Sequence, residues 1–281
     1  MTSIAANLLN IATVVFAASS MLSVGLGHDL AEILRPLKNL RVVARVLIAN
    51  YVLVPALTLL VIRIVPLEQP LETGLLLMGV AAGAPFVIKL SQTAGANVGL
   101  TTTLLLLLLP VTVVFMPLVV PLLRPDADVR IAAIATPLVV SMLLPLAVGL
   151  LVHRLWESRA LRLGPWMSKL SSVALIVLVV SALIANFDTI VRIGWKPLLA
   201  AALVTAGAFG LGYLAGGIDP DNREVLGLGT AQRNIAAATL VATQAVGHPD
   251  TISMVVIGSL VTLAILFPTA RMLYRSEGRR R

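Results

Sequence analysis

Apolar residues follow one another along this chain in blocks of about 20, the length that carries an α-helix through the hydrocarbon core of a bilayer. Nine such runs can be drawn, at about 5–27, 41–63, 72–94, 98–123, 131–153, 165–187, 197–217, 225–246 and 251–271. A β-barrel would instead show short segments of alternating polarity. The pattern predicts an all-α, polytopic membrane protein of about nine transmembrane helices, forming a single transmembrane domain over 1–281.

Two of the runs are unlike the rest. The third contains Ala82-Gly83-Ala84-Pro85. Pro85 has no N–H to donate and clashes with the carbonyl one turn back, so a regular helix is expected to break there. The eighth contains Gly227 and Gly229 among Thr230, Gln232 and Asn234. Interrupted segments at corresponding places in two halves point to a transporter site. Gly83 pairs with Gly227 at the same offset that pairs Lys89 with Arg233. The layout therefore predicts two inverted-topology repeats, at about 5–123 and 165–275, with 131–153 bridging them. A packing kink lined by small residues would leave the same signature in either run taken singly.

Lys89 and Arg233 are the two basic residues that no loop accommodates. A charge in hydrocarbon costs a few kcal/mol and marks a functional site by default. None of the acidic residues needs to lie in the membrane interior. The expected partner is therefore an anion from outside the protein, unless the two charges stand where a metal cation would otherwise sit. Lys89 is near the end of its run, where a long side chain can snorkel to the headgroups. Asn97, Gln232 and Asn234 are costly to bury and are expected to line a wet cavity. The threonines nearby can bond their own backbone and add little. His28, His153 and His248 fall in a loop or at run edges, without metal-ligand spacing.

Charge sets the orientation. Fourteen basic residues fall on one side, with Arg35, Lys38, Arg41, Arg45, Arg154, Arg159, Arg162 and Lys169 leading, and five on the other. The positive-inside rule then puts the N-terminus outside and the C-terminus in the cytoplasm of an inner-membrane protein. A net charge of +8 spread over short loops reads as juxtamembrane charge, with no nucleic-acid partner expected. With 58% hydrophobic residues and a mean hydropathy of +0.99, a soluble domain is excluded. The absence of cysteine removes disulfides and thiolate chemistry. The N-terminal run ends in small residues like a signal peptide, but has no basic segment before it, and is expected to be retained. No HExxH, GxSxG or interior carboxylate pair is present, so a membrane-embedded enzyme is disfavoured, while a channel stays open as an alternative.

With these residues in view, the chain resembles the bile acid:sodium symporter family. The resemblance rests on GLGHDLAEILRPLKN, GAPFVIKLSQTAGANVGLTT and LGTAQRNIAAATLVA, and covers nearly the whole chain without that family's optional extra N-terminal helix. It implies a panel and a core domain, two crossing discontinuous helices, and sodium-coupled transport of organic anions. The family's first crossing motif usually ends Gly-Gly-Thr-Ala-Ser-Asn, where this chain has Gly83-Ala84-Pro85-Phe86-Val87-Ile88. Its second usually reads Glu-x-Gly-x-Gln-Asn, where Gly229-Thr230-Ala231-Gln232-Arg233-Asn234 fits best by its last residue. A hard cation needs several oxygen ligands. Two neutral ligands and the carboxylate are missing, so no metal ligands and no cofactor are expected, and Arg233 and Lys89 would bind the anion or replace the ion's charge. The expectation is a sodium-independent organic-anion transporter, working by alternating access as a monomer or weak homo-oligomer. The alternative is a conventional sodium-coupled symporter.

Overall fold

A computed structural model describes residues 3–29, 40–124, 130–185, 192 and 194–277. Arg35, Lys38, Arg279, Arg280 and Arg281, counted above for orientation, lie outside them. The described residues form helices joined by short connections and contain no strand.

Among the described residues, seven helices are long and apolar enough to cross a membrane. They are α1 (Ser3–Leu26), α2 (Leu40–Ile64), α5 (Val98–Leu123), α6 (Ile131–Leu155), α7 (Glu157–Ala185), α8 (Lys196–Ala215) and α11 (Pro249–Glu277). The other two apolar runs are each divided. The third is α3 (Gln69–Val80) and α4 (Val87–Ala94), and the eighth is α9 (Pro220–Ala231) and α10 (Ile235–Val241).

The division of the third run falls where the sequence places it. Gly83 has φ +74, a left-handed conformation that only glycine adopts cheaply, and Pro85 cannot donate into a helical ladder. The eighth run breaks elsewhere than expected. Gly227 and Gly229 lie inside the regular helix α9, and the interruption is Gln232–Arg233–Asn234. An interior glycine weakens a helix by about 1 kcal/mol but leaves its hydrogen-bond ladder intact, so glycine alone does not end it. Here the two glycines admit close neighbours. A Cβ on Gly227 would lie 3.1 Å from the Phe209 ring, and one on Gly229 would lie 2.2 Å from Leu104 Cδ2. The helix also begins at Pro220, earlier than the apolar run, and Glu224 in its second turn is buried.

Among the described residues, three π turns widen the helices, at Ala49–Leu53, Val139–Leu143 and Ala242–Val246. In the first two the closing N–H belongs to the residue just before a proline: Val54 donates to Ala49 ahead of Pro55, and Leu144 to Val139 ahead of Pro145. The extra residue absorbs a proline that would otherwise clash with the preceding turn.

Helices α1, α6 and α7 pack together as one layer. Gly25 and Gly149 let α1 and α6 approach to backbone contact, since a Cβ on Gly25 would lie 2.4 Å from the Leu146 carbonyl oxygen. The broken helices pack in the other layer, with α3 against α11 and α9 against α8. The two layers meet where α1 touches α10, α5 touches α6 and α7 touches α11.

Candidate functional site at the crossing of two broken helices

A helix that stops inside a protein leaves four carbonyls without intrahelical donors. At and just past the end of α3, the carbonyls of Met78, Gly79, Ala81 and Gly83 are met by the second broken segment. The Arg233 guanidinium donates from Nε to the Met78 carbonyl at 3.0 Å and from Nη2 to Gly79 at 2.6 Å. The Asn234 main-chain N–H donates to Ala81 at 2.9 Å, and its Nδ2 donates to Gly83 at 2.8 Å. Thr112, from α5, donates its hydroxyl to Ala82 at 2.9 Å. The first break is thus completed by side chains far away in sequence.

Arg233 also serves its own segment. Its Nη1 donates to the Thr230 carbonyl at the end of α9, at 3.1 Å, and to Asn50 Oδ1 at 3.0 Å. The side chain is 2% exposed. No carboxylate joins these bonds. The positive charge is held by the C-terminal ends of α3 and α9, the negative poles of both helix dipoles, and by one amide oxygen. A buried charge is costly unless it is paired and hydrogen-bonded, and four of the five guanidinium N–H groups are bonded to these oxygens.

Asn234 is fully buried, and three of its bonds shape the crossing. Besides the two to the α3 side, its Oδ1 accepts from the Ala237 N–H at 3.0 Å and caps α10. It stops one helix, starts the next and ties the pair across the crossing. Gln232 is fully buried beside it, with Nε2 3.4 Å from the Arg233 carbonyl and its Oε1 without a hydrogen-bond partner.

The π turn of α2 presents two further residues. Asn50 donates from Nδ2 to Val46 at 3.0 Å and to the Thr230 hydroxyl at 3.2 Å. The Tyr51 hydroxyl donates to the Leu108 carbonyl and lies 2.9 Å from Thr112 Oγ1. Neither residue stood out in the sequence. The available signal was a lone Asn inside LIANYVLVPAL, followed closely by a proline that makes a π turn favourable.

Lys89 lies elsewhere. It is on α4, where Val87, Leu90, Ser91 and Ala94 are buried and Lys89 is exposed. Together with Gln92 it lines a cleft of ≈ 410 Å³ against α1 and α7. Phe16, Ser20, His28 and Ser171 face it there, and among the described residues no carboxylate lines the cleft. Asn97 is exposed, caps α5 by accepting from the Leu100 N–H at 3.0 Å, and does not line that cleft. The structure therefore gathers Gly83, Gln232, Arg233 and Asn234 at one place, puts Lys89 and Pro85 on the cleft, and leaves Asn97 apart from both.

Membrane-length helices combined with two internally broken segments define a multi-pass membrane protein of the transporter class. The model of the Sodium Bile acid symporter family matches residues 14–193, and the chain belongs to that family. The matched stretch includes α3, α4 and the cleft-lining part of α7, and ends before the second break. No curated protein matches the chain.

Proposed function

We propose that this protein is a secondary transporter that moves an organic anion, bile-acid-like or a small carboxylate, across the inner membrane without sodium. The observation that carries the reading is Arg233, buried with four hydrogen bonds to oxygens at the ends of α3 and α9 and on α2. A sodium ion at a crossing of this kind would be held by such carbonyls and amide oxygens. Here a tethered guanidinium takes those oxygens. The remaining residues do not fit a sodium ion either: Val87 and Ile88 supply no side-chain oxygen, and Gly229 supplies no carboxylate.

In this reading the nine membrane-crossing segments form inverted repeats, α1–α5 and α7–α11, bridged by α6. The N-terminus is outside and the C-terminus cytoplasmic. The α1–α6–α7 layer and the layer of broken helices move relative to one another, giving alternating access. The anion occupies the cleft between α4, α1 and α7. Lys89 meets its charge, while the serine hydroxyls and Gln92 meet its other polar groups. Phe16, Phe86 and Leu175 offer the apolar walls that an amphipathic anion needs.

The test is uptake into proteoliposomes with and without a sodium gradient. Ligands for it come from a thermal-shift screen against bile acids, keto acids and pantoate-like acids, because a ligand that prefers the folded state raises its stability. Equal uptake under both conditions is the expected result. Strict sodium dependence would overturn the proposal and identify a conventional symporter, and an ohmic current in place of saturable flux would identify a channel.

A further inference from the structure

Helix α7 runs for 29 residues, about 43 Å at 1.5 Å per residue. The hydrocarbon core is only about 30 Å thick. About two turns of α7 therefore stand in the headgroup region of one leaflet. Arg159 and Arg162 lie there, and Trp166 and Lys169 follow at three- and four-residue spacing on the same face. All four are exposed. The only acidic residue of this segment, Glu157, falls on the opposite side. Arg159, Arg162 and Lys169 make no ion pair among the described residues.

The same stripe changes character farther along. Val173, Ile176, Val180 and Ile184 continue it with exposures of 59%, 63%, 48% and 68%. They extend over about 16 Å, the depth of one leaflet. Trp166 sits at the change, with Lys169 Nζ 5.1 Å from its ring centroid. A tryptophan beside a cation marks the level where headgroups give way to acyl chains. Two arginines, then an aromatic ring with a lysine beside it, then an apolar strip, all on one exposed face, match the order of groups along an anionic phospholipid.

We propose that this face of α7 is a binding site for an anionic phospholipid. Its phosphate-bearing headgroup lies along the band from Arg159 through Arg162 to Lys169, and an acyl chain lies along Val173–Ile184. A second copy of the chain fits the face poorly. Two copies inserted in the same direction would bring their basic bands together at one depth, which like-charge repulsion opposes.

Native mass spectrometry of the full chain in detergent tests this, with phosphatidylglycerol and phosphatidylcholine added in turn. The wild type is expected to retain phosphatidylglycerol in preference. A triple variant, Arg159→Gln, Arg162→Gln and Lys169→Gln, is expected to bind it roughly a hundred-fold more weakly. A control triple at exposed positions elsewhere, Arg63→Gln, Arg130→Gln and Arg271→Gln, is expected to keep the wild-type preference. Equal retention of the two lipids by the wild type overturns the proposal, as does undiminished binding by the α7 variant. A wild-type dimer that the α7 substitutions disperse would overturn it too, and assign the face to a second copy.

Discussion

The two broken helices stop for different reasons. The first stops because of its backbone: Gly83 takes a left-handed conformation and Pro85 has no N–H, so α3 ends at Val80 whatever surrounds it. The second stops because of its side chains. Arg233 and Asn234 find better partners across the crossing than the α9 ladder offers, and Asn234 caps the helix that follows. The two solutions also depend on each other, since the carbonyls freed by the first break are those the second segment uses. A backbone break is a local property of sequence. A break made by side chains requires the partner to be in place.

Arg233 should show the largest effect of any position at the crossing. Arg233→Met removes four charge-assisted hydrogen bonds and leaves buried carbonyls unpaired, a loss of about 3–5 kcal/mol. Thermal unfolding and uptake should both collapse. Arg233→Lys should recover only part of the stability, because an ammonium lacks the planar fork that reaches Met78, Gly79 and Asn50 together. If the methionine variant unfolds like the wild type, the guanidinium does not hold the crossing.

The glycines sharpen the comparison at intermediate size. Gly83→Ala forces an L residue to φ +74 and puts a Cβ 2.9 Å from the Leu109 N. It should cost about 1–3 kcal/mol. Gly227→Ala gains helix propensity of about 1 kcal/mol and asks the Phe209 ring to yield slightly, so its net change should stay near zero. Chemical denaturation of the two variants measures the difference directly, and equal losses would mean that both positions are breaks.

Lys89 and Asn97 separate function from structure with the smallest stability changes. Lys89→Gln should unfold within about 0.5 kcal/mol of the wild type, as an exposed substitution does. Its uptake of anion should fall by about ten-fold or more, the worth of one hydrogen bond to a charge. Asn97→Ala should lose about 1 kcal/mol as a lost cap, with uptake unchanged per folded molecule. Normal uptake by the Lys89 variant would remove Lys89 from the anion site.

Much of this was legible in the sequence because hydrocarbon imposes a one-dimensional rule. A helix in a bilayer needs an apolar run of fixed length, so nine runs predicted the helices to within a few residues, with α7 and α11 extending beyond the apolar blocks into polar sequence. The first break was legible for a similar reason, because glycine and proline act on their own backbone. The cost of burying Arg233 flagged it correctly as unusual. The same reasoning misplaced the second break at Gly227 and Gly229, because it treated glycine as sufficient to end a helix. It also treated Lys89 and Arg233 as equivalents. In space the first break meets Asn234, whose side chain reaches the carbonyl of Gly83, 151 residues away, while Lys89 lies on the cleft.

What the sequence alone determined was where the helices lie, seven of them long and apolar enough to cross a membrane, the family resemblance and the presence of charges that need an explanation. What only the tertiary structure decided was the explanation for each charge. Arg233 is satisfied by carbonyls from two helix ends and by Asn50 on a third, while Lys89 opens onto a cleft shared with α1 and α7. Solvation and length are properties of a segment and can be read along the chain. A buried cation's partners here are main-chain oxygens, which every residue carries and no sequence pattern distinguishes, so their convergence appears only once the helices are packed.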